Sequence, residues 1–398
     1  MKDFFLVNSI SRKQFIALFV CALLIWITLQ SFTVMLPVYA LRLGADPSSI
    51  GNFLAVGFLG LTTGNFIAGW LSDRFQRRKL LLTIAITINV FGVLSLGSAS
   101  TFTQFVILTS MVYIFSSVSM SLITILAGLS ASESERGKVF GGLAVATSLG
   151  AVIAGAISGW LVNRGGFEAF FFVLAMGWVI DLLVLLVVED RNVAPVKRQA
   201  ETSAPPTLNR WFYIMLTANL IGFACSFMSL LGRPLQMDAL RFDPEAISGV
   251  VAIGSIISVP LPFVMGWLSD RFSRYYLVIF CILSSAVGLI VLAGSSVVWQ
   301  FALATALLSN MAASIGVGQA IITDLVPPKS LGVALSLFGS SITIGGAISF
   351  AGTGYAIEAF GIAGTYIVGA VLSLIATGML LQGKLARDKG SIATLGVE

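Results

Sequence analysis

The sequence predicts an all-α integral membrane protein with twelve transmembrane helices in two pseudo-symmetric, six-helix halves. Hydrophobic residues make up 57% of the 398 residues and charged residues 10%, whereas soluble domains carry about 25% charged residues. The mean hydropathy is +0.98. A helical span requires roughly 20 apolar residues. Apolar stretches of about this length follow one another along the chain. A repeat at about half the chain length indicates two related halves.

The apolar stretches also predict the domain organisation. The first one is too long for a signal peptide and lacks a small-residue cleavage site, so it is taken as a helix. A polar stretch predicts a cytoplasmic linker at 191–210, between an N-terminal half at 1–190 and a C-terminal half at 211–398. The predicted spans are 14–41, 48–72, 80–99, 104–130, 139–163, 167–188, 211–238, 245–268, 276–296, 299–325, 331–354 and 362–383.

The repeat is most evident in the heptapeptide Gly-Trp-Leu-Ser-Asp-Arg-Phe, which occurs at Gly69–Phe75 and Gly266–Phe272, 197 residues apart. Further identities at the same offset spread over several spans, as duplication of a six-helix unit predicts. They include Asp46 with Asp243, Pro47 with Pro244, and Gly57 with Gly254.

Basic residues predict the orientation. If the N-terminus is inside, all but four of the 23 basic residues fall on inside segments. The positive-inside rule then places both termini and the linker in the cytoplasm, with the chain in the inner membrane. Topology therefore explains the net charge of +5, and no nucleic-acid partner is expected. The four outside residues are Arg42, Arg164, Arg233 and Arg241.

With these features the chain resembles the major facilitator superfamily of secondary transporters over almost its whole length. The family's loop motif is close to G-x-L-x-D-R-x-G-R-R/K. The first copy has Gln76 at the usual glycine position, and the second has Ser273 there and Tyr275 at the last basic position. The first copy matches the motif at Gly69, Leu71, Asp73, Arg74, Arg77 and Arg78.

The resemblance implies a gating role for this motif. In the family, the matching aspartate contacts a neighbouring helix N-terminus and nearby arginines, and it holds the halves together when the transporter opens outward. The alternative is that these charges only enforce topology, although that would not require an aspartate at a helix C-terminus. The latch residues are then Gly69, Asp73, Arg74, Arg77, Gly266, Asp270 and Arg271.

The resemblance also implies that the first, fourth, seventh and tenth spans line a central cavity. Buried polar groups in a membrane need partners, so they face the protein interior or a wet cavity. Each one could either contact substrate or bond a neighbouring helix. The cavity residues are Trp26, Gln30, Thr33, Tyr113, Ser117, Asn219, Phe223, Ser226, Asn310, Ser314 and Gln319.

Charged residues are absent from the first and fourth predicted spans, where many proton-coupled drug exporters carry them. Arg233 and Asp238 replace Leu36 and Leu41 of the first half. This break in the internal symmetry suggests an outer gate, with an ordinary ion pair at the headgroup level as the alternative. Asp181 lies inside the sixth span, where it is either a coupling acid or a structural residue. Asp238 is the other candidate for the coupling acid.

Several function classes are excluded. There is no histidine, the three cysteines stand singly inside spans, and no phosphate-binding loop occurs, so no cofactor, metal site or enzyme activity is expected.

The prediction is export of small neutral or amphiphilic compounds by alternating access, with protons as the expected counter-ion. Uptake of a sugar or other polar nutrient by uniport or proton symport is the alternative, and a lipid flippase or a non-transporting membrane sensor is the third reading. The expected partners are a small-molecule substrate and the lipid bilayer, with the chain as a monomer.

Overall fold

The computed structural model describes the fold of residues 11–131, 136–190, 208–326 and 330–395. Most of the predicted linker, 191–207, lies outside these ranges. The described residues form helices and no strand. The helices are α1 (Arg12–Arg42), α2 (Pro47–Phe75), α3 (Arg78–Leu96), α4 (Phe102–Ser130), α5 (Arg136–Val184), α6 (Arg210–Ala239), α7 (Pro244–Ser258), α8 (Leu261–Ser269), α9 (Arg274–Ala293), α10 (Val298–Leu325) and α11 (Leu331–Leu395).

Within the described ranges, ten helical segments are long and apolar enough to cross a membrane, which makes the protein multi-pass. α7 and α8 together form one of these segments, Pro244–Ser269. The sequence predicted this segment as one continuous helix. The break falls at Val259 and Pro260, because a proline inside a helix removes a backbone donor and clashes with the preceding turn.

Two helices contain a glycine with non-helical backbone angles. α5 has 49 residues, and as a straight helix it would extend ~74 Å, more than twice the thickness of a bilayer core. Its Gly166 has φ 68° and ψ −173°, and Gly361 in α11 has φ 71° and ψ 171°. This region of backbone space is open almost only to glycine. Each break lies between two of the predicted spans.

Contacts divide the chain into two compact units. The first combines Met1–Arg198 with Met237–Ile253, and the second combines Gln199–Gln236 with Gly254–Glu398. The end of α6 and most of α7 thus belong to the first unit. Within that unit, the Gly159 amide of α5 donates to Ser248 Oγ of α7 at 3.0 Å.

The repeated Asp-Pro pair begins a helix in both copies. Asp46 Oδ1 accepts from the Ser49 amide at 2.7 Å, and Asp243 Oδ1 accepts from the Ala246 amide at 2.7 Å. Aspartate at the N-cap followed by proline is a strong helix start, since the carboxylate satisfies an otherwise free amide. The hydrogen bonds from Ser49 and Ser48 lower the pKa of Asp46.

The repeated glycine serves close packing in both copies. A Cβ built on Gly57 of α2 would lie 2.8 Å from the Tyr113 ring of α4. Its counterpart, Gly254 of α7, faces Thr305 of α10, and a Cβ there would lie 3.0 Å from the Thr305 Cβ. The small residue lets the two helices approach each other in each case.

The glycine breaks lead to a stability prediction. Gly361→Ala should lower the free energy of unfolding by about 1–3 kcal/mol, because alanine is strained at this φ and ψ. Gly352→Ala is the matched control, since both positions lie on α11 and leave open space for a Cβ, and Gly352 lacks the unusual φ. We expect the control to unfold at the same temperature as the wild type or slightly higher. Equal melting temperatures for the two variants would contradict this account.

Candidate functional site

The predicted cavity residues of α1 lie on one half-buried face. Trp26, Gln30 and Thr33 are neither fully buried nor exposed. The Thr33 hydroxyl donates to the Leu29 carbonyl of its own helix at 3.0 Å, while Trp26 Nε1 has no hydrogen-bond partner among the described residues.

The predicted cavity residues of α4 contact α1 and α2. The Tyr113 ring is buried and packs edge-on to Phe32, with centroids 6.1 Å apart. Its hydroxyl has no partner in the described part of the chain. Ser117 donates to Asn65 Oδ1 of α2 at 2.9 Å, and Ser121 donates to the same oxygen. Sequence reasoning missed Asn65, although an amide within an apolar span is a recognisable signal.

Three of the six predicted cavity residues in the second unit bond neighbouring helices. Asn219 Nδ2 of α6 donates to Ser341 Oγ of α11 at 3.2 Å. Asn310 Nδ2 of α10 donates to Ser284 Oγ of α9 at 2.8 Å. Ser226 of α6 donates to the Leu308 carbonyl of α10 at 3.4 Å. These three residues therefore connect neighbouring helices, and fewer of their hydrogen-bonding groups remain available to a substrate.

The remaining cavity residues differ in exposure. Ser314 is buried and donates to the Met311 carbonyl one turn earlier at 2.7 Å. Phe223 is buried and lies 6.3 Å from the ring of Phe227. Gln319 is exposed.

Asp181 is a fully buried acid in the second part of α5. It lies beside the thiol of Cys21 on α1. Neither carboxyl oxygen meets the geometry of a hydrogen bond with any described group. A charge at bilayer depth costs roughly 2.5–3.5 kcal/mol on insertion scales, so this carboxyl is a candidate to carry a proton.

Arg233 of α6 is also buried, with 4% of its surface exposed. Its Nη1 donates to Thr305 Oγ1 of α10 at 2.6 Å, and its Nε has no partner among the described residues. Asp238, the predicted partner, is five residues later, which turns it ~140° around the helix. The pairing of Arg233 with Asp238 remains a prediction that this spacing disfavours.

The first copy of the latch residues lies at the surface of its unit. Asp73, Arg74 and Arg77 are exposed. Arg78, which follows them, is buried and donates from Nε to Ser72 Oγ at 2.9 Å. No described atom of a neighbouring helix lies within 4 Å of a Cβ built on Gly69, so another helix does not pack closely against this glycine.

The second copy makes different contacts. Asp270 and Arg271 are exposed, and the Arg271 guanidinium lies 4.0 Å from the centre of the Trp267 ring. Arg274 forms an ion pair with Asp324 of α10 at 2.6 Å. A Cβ built on Gly266, like one on Gly69, would meet no described atom within 4 Å.

The structure explains the glycine of the loop motif. Gln76 occupies the family's usual glycine position and adopts the left-handed region, with φ 51° and ψ 11°. It ends α2, and its amide donates to the Ser72 carbonyl. Glycine reaches this region without a steric penalty, and glutamine does not. Ser273, at the same position of the second copy, has an ordinary extended backbone with φ −60° and ψ 122°.

This difference yields a paired prediction. Gln76→Gly should stabilise the protein by about 0.5–1 kcal/mol, because glycine removes the steric cost of the left-handed backbone. Ser273→Gly should be neutral or destabilising, because its backbone requires no glycine. Thermal unfolding of both variants in detergent measures this, and stabilisation of the same size in both would argue against it.

Comparisons with known proteins agree with this architecture. The family model for the Major Facilitator Superfamily matches residues 18–237 and 215–394. The multidrug resistance protein MdtG of Proteus mirabilis is 26% identical over 313 residues, which cover 74% of this chain and 76% of that protein. The 3-(3-hydroxy-phenyl)propionate transporter of Escherichia coli is 27% identical over 263 residues, 64% of each chain.

Other matches are shorter or show the fold alone. The chain spans about half the length of some curated relatives. In two uncharacterized Escherichia coli transporters the match covers 46% of the relative's length. The crystal structure of the nucleoside transporter NupG superposes with a TM-score of 0.76 at 16% identity, covering 93% of this chain and 98% of that one. Because the family model matches both parts of the sequence, the chain belongs to the Major Facilitator Superfamily of membrane transporters.

Proposed function

We propose that the protein is a twelve-span secondary transporter whose two six-helix halves alternate access to a central site. The breaks at Gly166 and Gly361 support twelve crossings, because each divides an overlong helix between two predicted spans. The repeated N-caps at Asp46 and Asp243 support two related halves in parallel orientation. The distribution of basic residues supports cytoplasmic termini.

We further propose that it exports small neutral or amphiphilic compounds. The supporting observation is that Asn219 and Asn310 use hydrogen-bonding groups on neighbouring helices, which leaves the second unit with fewer polar groups for substrate. Apolar walls with few polar groups suit amphiphilic ligands. The relative MdtG, named a multidrug resistance protein, is consistent with export.

Uptake of a polar nutrient is the second candidate, since the E. coli relative is named as a transporter of a phenylpropionate without a stated direction. Sugars should compete for transport in that case, and amphiphilic compounds should not. A lipid flippase or a non-transporting sensor is a third reading, and neither would move soluble compounds across proteoliposomes.

Asp181 is the proposed proton carrier. Its buried carboxyl has no hydrogen-bond partner in the described residues, so an uncompensated charge there would be costly. In this mechanism the carboxyl binds a proton from one side and releases it when water reaches it from the other. The thiol of Cys21 is the neighbouring polar group.

Proton flux in proteoliposomes tests this role. The proteoliposomes contain a pH dye, and no gradient is imposed. Adding a transported compound should then change the internal pH. Asp181→Asn should abolish that change, because an amide does not bind and release a proton as a carboxyl group does. Glu168→Gln is the matched control, an exposed acid on the same helix, and should behave as the wild type. A proton flux in the Asp181→Asn variant equal to that of the wild type would rule out Asp181 as the carrier.

The latch proposal has its own test. Asp73→Asn removes the charge that the family uses to hold the halves together, so the transport rate should fall by roughly two- to tenfold, an activation difference of ~0.4–1.4 kcal/mol. Asp46→Asn is the control, because asparagine retains the N-cap hydrogen bond. Unchanged transport in Asp73→Asn, with normal insertion, would mean that the charge only sets topology.

A further inference from the structure

Three side chains of the second unit converge at one depth, and we name them the Arg233 cluster: Arg233 of α6, Thr305 of α10 and Tyr366 of α11. Arg233 lies six residues before the end of α6, Thr305 seven residues after the start of α10, and Tyr366 five residues after the break at Gly361. At the helical rise these positions are ~7–11 Å from their helix ends. The cluster therefore lies inside the helical bundle, near one end.

Glycines bring these side chains together. A Cβ built on Gly232 would lie 2.6 Å from the Tyr366 hydroxyl oxygen, so only glycine allows the tyrosine this position beside α6. Gly254 of α7 likewise leaves room for the Thr305 side chain of α10. Arg233 and Tyr366 are close enough to interact electrostatically. The packing thus holds the side chains of Arg233 and Tyr366 in place.

The hydrogen bonds of the cluster are incomplete. Arg233 Nη1 donates to Thr305 Oγ1, and Thr305 donates its own proton to the Phe301 carbonyl at 2.7 Å. Arg233 Nε and the Tyr366 hydroxyl have no partner in the described ranges. Both residues are buried, with 4% and 0% exposure. Among the described residues, these two buried donors are therefore available to a hydrogen-bond acceptor.

The charge of the cluster is also uncompensated. No described carboxylate forms an ion pair with Arg233. A buried cation without a counter-ion is strongly unfavourable, whereas an arginine that binds a carboxylate gains short, charge-assisted hydrogen bonds. One positive charge with two spare donors matches a monoanion.

We propose that the Arg233 cluster binds the carboxylate of the transported compound. This inference rests on the proposed transport function and narrows its substrates to amphiphiles that carry an acid group. Thr305 orients the guanidinium, and Arg233 Nε and the Tyr366 hydroxyl donate to the carboxylate. One turn beyond Tyr366, the buried apolar side chains of Met228 and Leu289 lie against Gly369.

Binding to the purified full chain in detergent tests the site without requiring transport. The probes are benzoate and octanoate, their amides benzamide and octanamide, and chloride, with thermal stabilisation as the readout. We expect the carboxylates to raise the melting temperature and the amides to leave it unchanged. Chloride distinguishes an inorganic-anion site from a substrate site.

The variants locate the binding. Arg233→Gln should weaken carboxylate affinity roughly 10- to 100-fold, because it removes a charged donor. Tyr366→Phe keeps the ring against Gly232 and should weaken affinity roughly two- to tenfold through loss of one hydrogen bond. Arg164→Gln changes an exposed arginine and should not alter affinity. Tyr366→Phe also serves if Arg233→Gln does not fold.

Several results would overturn the proposal. These are a wild type that neither carboxylate stabilises, carboxylate affinity unaffected by Arg233→Gln and Tyr366→Phe, or chloride binding with equal strength and equal dependence on Arg233. The transport function fails separately: carboxylates that bind through Arg233 but never cross proteoliposomes refute transport, not the site. Conversely, a wild type that transports neutral compounds but binds neither carboxylate refutes the site and leaves the transport function intact.

Discussion

The structure depends on one constraint: the hydrocarbon core of a membrane offers no hydrogen bonds, so each buried polar group must find its partner within the protein. The backbone meets this constraint by forming helices. Asn219 and Asn310 meet it by bonding serines on neighbouring helices. Some buried groups have no partner among the described residues, such as Arg233 Nε and the Asp181 carboxyl. They therefore stand out as the places where a ligand or a proton would complete the hydrogen bonding.

The sequence predicted the features that local chemistry determines. Long apolar stretches predicted the helices, and Asp46 with Pro47 marked a helix start that the structure shows with its capping hydrogen bond. The repeat identified Gly57 and Gly254 as equivalent, and both pack a helix pair closely. The break at Pro260 was missed, although Pro260 and Pro262 lie inside the predicted span and signalled it.

The partners of individual side chains were beyond the sequence because they depend on how the helices are rotated. Arg233 was recognised as unusual, yet its contact with Thr305, 72 residues away, had no signal in the chain. Tyr366 was not singled out, since a tyrosine in an apolar span is ordinary. The pairing of Arg233 with Asp238 remains a prediction, and the spacing disfavours it because neighbours on a helix are three or four residues apart, not five.

Proton-coupled movement of a compound across a membrane is the central claim. Its most direct test is accumulation in proteoliposomes with an acidic lumen, compared with protein-free liposomes of the same composition. The account predicts that an amphiphilic compound enters beyond the protein-free level while protons leave, and that a protonophore abolishes this. Accumulation that persists without the pH gradient would contradict proton antiport, and no protein-dependent accumulation of any compound would contradict transport by this chain.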